Sequence, residues 1–438
     1  MIHTEHKSWH GMSGPSCATD PQPVESVLPR LDIRSSLKVT TFSARPVEWR
    51  IPIGCDFSGF FVEVALGYIP VLQPRISELF LLQTRCSDSF LAQLSANESA
   101  AYLRVQVADH DRSSAETARS IAIEHGNPCL MRHFKQRPFH LIARLMSEGA
   151  LPLDQIRCAL TADELWVPTA WHRSLFEEQG IPSNKLTVVP EYVDTELFRP
   201  AAVVAAPSPS SGRGGHGIVF LSVYKWEQRK GWDVLLDAYW REFRRSERTV
   251  LRLRTYKPSW EAGPESIDEW LRLFARQRLG RRLSDLPRVE VLAERSRDAL
   301  ALEYQRADAF VLPSRGEGWC LPCVEAMASA LPIIVTNYSG PATYLTDTNA
   351  LPIRVAAIHP NRQAEPDKAH LRERMRYVVD ERAHAAAIGE QARADVLERF
   401  SARRVGDLVV SRLEAVVSAT ERTATGTAEP RAGLAAHE

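Results

Sequence analysis

The chain has 438 residues, 44% hydrophobic and 25% charged, with 54 basic side chains balanced by 54 acidic ones. Single cores stop growing at roughly 250–300 residues, so this length calls for two domains. The zero net charge gives no reason to expect nucleic acid or an anionic membrane as a partner, so any phosphate binding must come from locally placed cations.

Residues 1–36 are polar and without period and read as a disordered or irregular arm. LKVTTFSA reads as a strand, and RIPIGCDFSGFFVEVALGYIPVL as a loop followed by a helix. YLRVQVAD and SIAIEHG look like buried strands, LPLDQIRCALTA like a helix, ELWVPT like a strand, AWHRSLFEEQG like a helix closed by Gly180, and KLTVVP like another strand. Residues 200–217 are rich in Pro, Ser, Gly and Ala, which is linker composition. The alternation then restarts at IVFLSVY and runs through GWDVLLDAYWREF, VLRLRTY, SIDEWLRLFARQRLG, VEVLA, SRDALALEYQRA, AFVLPS, LPCVEAMASA and PIIVTN. Two long helical stretches follow, one ending in VLERF and one in AVVSA, and the tail from 419 reads as disordered. Strands alternating with helices imply parallel βαβ units. The expected fold is therefore α/β: two Rossmann-like domains, 37–199 and 218–418, with a ligand cleft past the carboxyl ends of their strands.

Seven cysteines are scattered along the chain, and of these Cys320 and Cys323 are closely spaced. This is not the pattern of a secreted disulfide framework, and no Cys/His cluster has zinc-site spacing. The first twenty residues lack a signal-peptide core, and no run of about 18 uncharged apolar residues occurs. The longest apolar stretch, 59–72, is interrupted by Glu63. The expectation is a reducing, cytoplasmic location.

GEGWCLPCVEAM (316–327) carries two glutamates eight positions apart. AFVLPS ends as a strand, Pro322 suits the first turn of a helix, Glu325 lies just inside that helix and Glu317 in the loop before it. Both carboxylates then stand at the mouth of the sheet, beside backbone N–H groups that make an anion site. The loop after the strand ending near Tyr224 brings Lys225 and Lys230 to the same edge, two ammonium groups suited to a diphosphate. Asp233 and Asp237 read as a solvated helix face, and His110 and His172 as surface or capping residues.

Glu317-Gly318-Trp319-Cys320-Leu321-Pro322 through Glu325, with Lys225 to Lys230-Gly231 upstream, resembles the retaining glycosyltransferases of family 4 and their GT-B fold. DELWVPTAWHRSLFEEQG (163–180) and PIIVTNYSGPATYLTD (332–347) are similar to family segments as well. The resemblance implies that Glu325 holds the ribose hydroxyls of a UDP- or GDP-sugar and that Glu317 stands beside the sugar hydroxyls. It implies that Lys225 and Lys230 bind the diphosphate, helped by backbone N–H groups near Cys320 and Leu321, with Gly318 and Trp319 completing the donor site. No metal or other cofactor is implied. Catalytic roles fall to Glu317, Lys230 and His125, the last as a cleft histidine, and Gly54, Ser58 and Gly59 would form the acceptor-side loop. The acceptor would be a saccharide, lipid or protein, with membrane contact expected where it is a lipid. Two positions depart from the pattern: Lys225 stands where Arg is usual and Cys320 where Gly is usual. Two other readings stay open. One is a GT-B-like scaffold without turnover. The other is a thiol oxidoreductase built on W-C-x-P-C, which lacks the rest of a thioredoxin module.

Overall fold

The computed structural model describes residues 41–51, 61–82, 86, 91, 94, 100, 102, 106–108, 113–201, 217–292 and 296–424. The N-terminal arm, most of the linker, His110 and the loop residues Gly54, Ser58 and Gly59 lie outside the described residues. The first sheet has seven parallel strands: β1 (Val47–Arg50), β2 (Leu79–Leu82), β3 (Gln106–Ala108), β4 (Ile121–His125), β5 (His140–Arg144), β6 (Glu164–Val167) and β7 (Leu186–Val188), in the order β3-β2-β1-β4-β5-β6-β7. The second has five: β8 (Ile218–Lys225), β9 (Thr249–Tyr256), β10 (Arg288–Leu292), β11 (Ala309–Leu312) and β12 (Ile333–Val335), in the order β10-β9-β8-β11-β12. An antiparallel pair, β13 (Val355–Ile358) and β14 (Ala364–Pro366), stands apart. Both sheets belong to one unit, Lys38–Glu438. Strands β4, β6, β11 and β12 are buried throughout, which is why they read as continuous runs instead of alternating ones.

In each sheet the chain first builds one way and then reverses. The switch lies between β1 and β4 in the first sheet and between β8 and β11 in the second. Open parallel sheets bind ligands past the carboxyl ends of their strands at such a point.

Several elements differ from the sequence reading. Among the described residues the first strand is VEWR; of LKVTTFSA, residues 37–40 lie outside the described residues and Phe42 makes an isolated bridge to Ile76. VEWR escapes notice because it carries two charges, yet Glu48 is fully buried and accepts a hydrogen bond from Arg50 at 2.8 Å. LFLL (β2), HLIAR (β5) and the β13–β14 hairpin were not anticipated. The apolar run after the first strand forms a π-helix, Phe61–Tyr68, continuing as Ile69–Leu72. The long helical stretch breaks into Lys368–Asp380 and Arg382–Arg399. The last helix, Ala402–Ala424, runs past residue 419. Its Val405, Val409, Leu413 and Val416 are buried with the core of the first sheet, and Arg412 reaches Glu164 on β6 at 2.7 and 2.8 Å. The helix placed with the second domain by sequence thus returns to the first.

Several of the cysteines are paired, although their spacing did not suggest a disulfide framework. Cys129 is bonded to Cys158, Cys320 to Cys323, and Cys86 also lies in a disulfide. Disulfides persist in oxidising compartments, so the cysteines no longer argue for a reducing one. Among the described residues no helix is long and apolar enough to cross a membrane.

Candidate active site

The glutamate loop leaves β11 and enters the helix Leu321–Ala328, with Pro322 in its first turn. Cys320 caps that helix at φ 74°, a left-handed conformation that ordinarily favours glycine. The loop is pinned from both sides. The Glu317 N–H donates to Ser339 Oγ at 3.0 Å, and the Gly340 N–H donates to the Glu317 carbonyl at 3.0 Å. Arg315 forks onto Asp233 at 2.8 and 2.9 Å and donates to the Gln228 carbonyl at 2.7 Å, tying the glutamate loop to the lysine loop. Asp233 therefore serves the site and is not a solvated face. Asp237 is buried and accepts from Arg241 at 2.8 Å.

Lys230 Nζ lies 2.8 Å from each Glu317 oxygen, and Arg229 Nη1 is 3.4 Å from the same carboxylate. Burial alone would push the Glu317 carboxyl up, but Lys230 and then Arg229 hold it below the usual range. Burial pushes the Lys230 ammonium down against the pull of Glu317. Lys225 faces the same space, with its ammonium 5.5 Å from the Trp260 ring centroid. Glu325 is buried and accepts from Tyr304 Oη at 2.9 Å; burial raises its carboxyl despite the nearby Arg297 charge. Trp319 packs its ring against Phe400 and Tyr344, with centroids 4.8 and 5.3 Å away, so it is a core residue whose edge meets the site.

From the first sheet the structure brings up a different group from the one expected. His125, at the end of β4, is 1% exposed and is not among the residues lining the cavity. Its Nδ1 accepts from Trp49 Nε1 at 3.4 Å, leaving Nε2 as the donor toward Glu63 Oε2 at 3.2 Å. The residue that meets the cavity is Glu63, in the first turn of the π-helix. Its signal in the sequence was a charge inside an apolar run. Arg144, at the end of β5, lies 3.5 Å from Glu63 and 3.9 Å from Glu191. Burial pushes the Glu63 carboxyl up, but His125 and Arg144 hold it below the usual range. Burial and then the Glu63 charge push Glu191 well above it. His172 is fully buried in the first turn of Ala170–Glu178; burial lowers it to about 3, and its Nε2 lies 2.9 Å from the Ser147 carbonyl.

These groups meet around a cavity of about 330 Å³. Glu63, Met146, Glu148 and Glu191 line it from the first sheet. Lys225, Lys230, Glu317, Gly318, Trp319, Cys320, Leu321 and Glu325 line it from the second, so the expected donor residues are brought together. Arg229, Arg254 and Arg297 also line it and were missed by the sequence reading. Arg229 was legible as a cation next to Lys230, whereas Arg254 and Arg297 come from β9 and a distant helix. Glu63 Oε1, both Glu191 oxygens, Tyr224 Oη, Thr255 Oγ1 and Trp319 Nε1 are buried without a hydrogen-bond partner among the described residues, and all belong to residues lining this cavity. Buried polar atoms are almost always satisfied, so their convergence here marks a space shaped for a polar ligand. Among the described residues no group of three or more His, Cys, Asp or Glu is arranged to hold a metal ion.

Two parallel-sheet domains with a polar cavity between their strand ends define the GT-B architecture. The fold matches that of HepE of Anabaena in complex with UDP-glucose, with a TM-score of 0.62 and 14% identity over 85% of this chain and 100% of that one. It also matches a sucrose-phosphate synthase from Thermosynechococcus elongatus, with a TM-score of 0.62 and 15% identity over 86% and 99% of the two chains. Residues 215–365 match the family model described as Glycosyl transferases group 1. A D-inositol 3-phosphate glycosyltransferase of Kineococcus radiotolerans is 31% identical over 195 residues, 43% of this chain and 43% of that protein. The chain thus spans less than half the length of that relative.

Proposed function

We propose that the protein is a retaining glycosyltransferase of family 4, moving a sugar from a UDP- or GDP-sugar to a saccharide, lipid or protein hydroxyl. The observation that carries this reading is the cavity shared by Glu317, Glu325, Lys225, Arg229 and Lys230 at the switch point of the second sheet. Glu325 accepts from the ribose hydroxyls and Glu317 from the sugar. Lys225, Arg229 and Lys230 take the diphosphate and neutralise its charge as it leaves, with no metal required. Glu63, oriented by His125, faces the acceptor side of the cavity, and His125 acts through it as a positioning residue. The UDP-glucose in the HepE complex supports a uridine donor, and the matched family model supports sugar transfer.

The test is calorimetric titration with UDP, GDP and ADP, beside Glu325→Ala. Tight binding of one nucleotide, lost in the variant, is expected. A folded protein that binds none of them would sink the enzyme and leave a GT-B-like scaffold.

A further inference from the structure

The two walls of the cavity differ in charge. Among the described residues all its lining cations come from the second-sheet domain, and the proposed function assigns Lys225, Arg229 and Lys230 to the donor diphosphate. Among the described residues the first-sheet wall offers three carboxyls, Glu63, Glu148 and Glu191, and no cation. Glu148 is engaged with Arg229 at 3.1 Å. Glu191 is 1% exposed, and apart from the neighbouring Glu63 carboxyl neither of its oxygens has a hydrogen-bond partner among the described residues. The cation near it, Arg144, stands at 3.9 Å and spends its hydrogen bonds on the Val189 carbonyl at 2.6 Å and Tyr68 Oη at 3.0 Å. Glu63 gives one oxygen to His125, and its other oxygen has no hydrogen bond, standing 3.5 Å from Arg144 and beside Glu191.

Resting on the glycosyl-transfer reading, we propose that this wall is a cation subsite: the acceptor presents a protonated amine, as on an amino sugar or aminocyclitol, to Glu63 and Glu191. Two neighbouring buried carboxyls cannot both ionise unaided, so in the empty cavity they share a proton, which burial of Glu191 favours. An ammonium brings three N–H donors, whereas a hydroxyl brings one. It displaces the shared proton to solvent and leaves each carboxylate paired, so charge balances. A phosphate in the same place faces three carboxyls, so the order of preference is amine, then hydroxyl, then phosphate.

The experiment saturates the protein with the nucleotide it binds and titrates glucosamine, glucose, N-acetylglucosamine and glucose 6-phosphate by calorimetry in buffers of different ionisation heat. Glucosamine is expected to bind at least tenfold tighter than glucose and to release a proton. N-acetylglucosamine should lose that advantage, and glucose 6-phosphate should bind weakest. Glu191→Gln should erase the amine preference, and the N-acetyl comparison tests the same preference if that variant does not fold. Equal binding of glucosamine and glucose, no binding of glucosamine, or tightest binding of glucose 6-phosphate overturns the subsite. Nucleotide binding that persists in those cases leaves the transferase reading standing; failure of every nucleotide to bind removes both.

Discussion

The ammonium of Lys230 lies 2.8 Å from both carboxylate oxygens of Glu317, joining the loops that β8 and β11 deliver to the cavity. Removing one partner of a buried pair strands the other charge. Lys230→Met should therefore cost about 3 kcal/mol, the low end for such breaks because Arg229 remains 3.4 Å away. Adding Glu317→Gln should recover much of that stability. On the proposed function, nucleotide affinity should fall at least tenfold in both variants, since neither restores the ammonium assigned to the diphosphate. Denaturant melts and calorimetry on the two proteins separate the effects; a single variant that binds nucleotide normally would assign the pair to structure alone.

Gly231 is required where it stands. It has φ 70°, and a Cβ there would lie 1.9 Å from the Pro313 carbonyl oxygen, which is backbone and cannot move aside. Gly231→Ala should destabilise by more than about 1 kcal/mol and displace the lysine loop, weakening nucleotide binding. Thermal melting and calorimetry check both effects, and an unchanged melting temperature would contradict the close approach.

The site-bearing part of the second sheet was legible because β8 and β11 are short apolar runs, each followed by a loop and a helical period, and the lysine and glutamate loops follow them directly. The first sheet was less so. β1 hides two charges that neutralise each other within one strand, Glu48 and Arg50, and local pattern cannot foresee that pairing. Glu63 and Glu191 lie 128 positions apart, and the fold brings their carboxyls to one wall. His125 was named as a cleft histidine from the family resemblance and its place after a strand, but its hydrogen-bond partners Trp49 and Glu63 belong to other elements.

Cys320 occupies a left-handed position at the edge of the cavity, where a side chain costs roughly 1–2 kcal/mol relative to glycine. Cys320→Gly removes both that cost and the bond to Cys323. If the glutamates define the site, this variant should keep nucleotide affinity within about threefold of the parent, while Glu325→Ala should lose it. The thiol oxidoreductase reading requires the reverse, with activity lost in Cys320→Gly and kept in Glu325→Ala, so nucleotide titration and a disulfide-reduction assay on the same pair decide between them.

Glu164 is the buried end of the tether that holds the last helix to the first sheet. Its carboxylate accepts from Arg412 Nε and Nη2 at 2.7 and 2.8 Å and from Trp166 Nε1 at 2.9 Å. Burial pushes this carboxyl up, but His140, 3.8 Å away, and the Arg412 and Thr187 side chains outweigh it and bring it down to about 2. The folded protein therefore holds the ionised form more tightly than the unfolded chain does. The stability this confers is complete above the ordinary carboxylate value and is lost as pH falls from there toward about 2. The pKa difference corresponds to about 3 kcal/mol. Glu164→Gln should flatten the acid limb of the stability curve. It should also loosen Ala402–Ala424 at neutral pH, seen as faster amide exchange in that helix. Melts from about pH 5 to about pH 3 on both proteins make the comparison, and parallel acid limbs would show that another carboxylate controls acid unfolding.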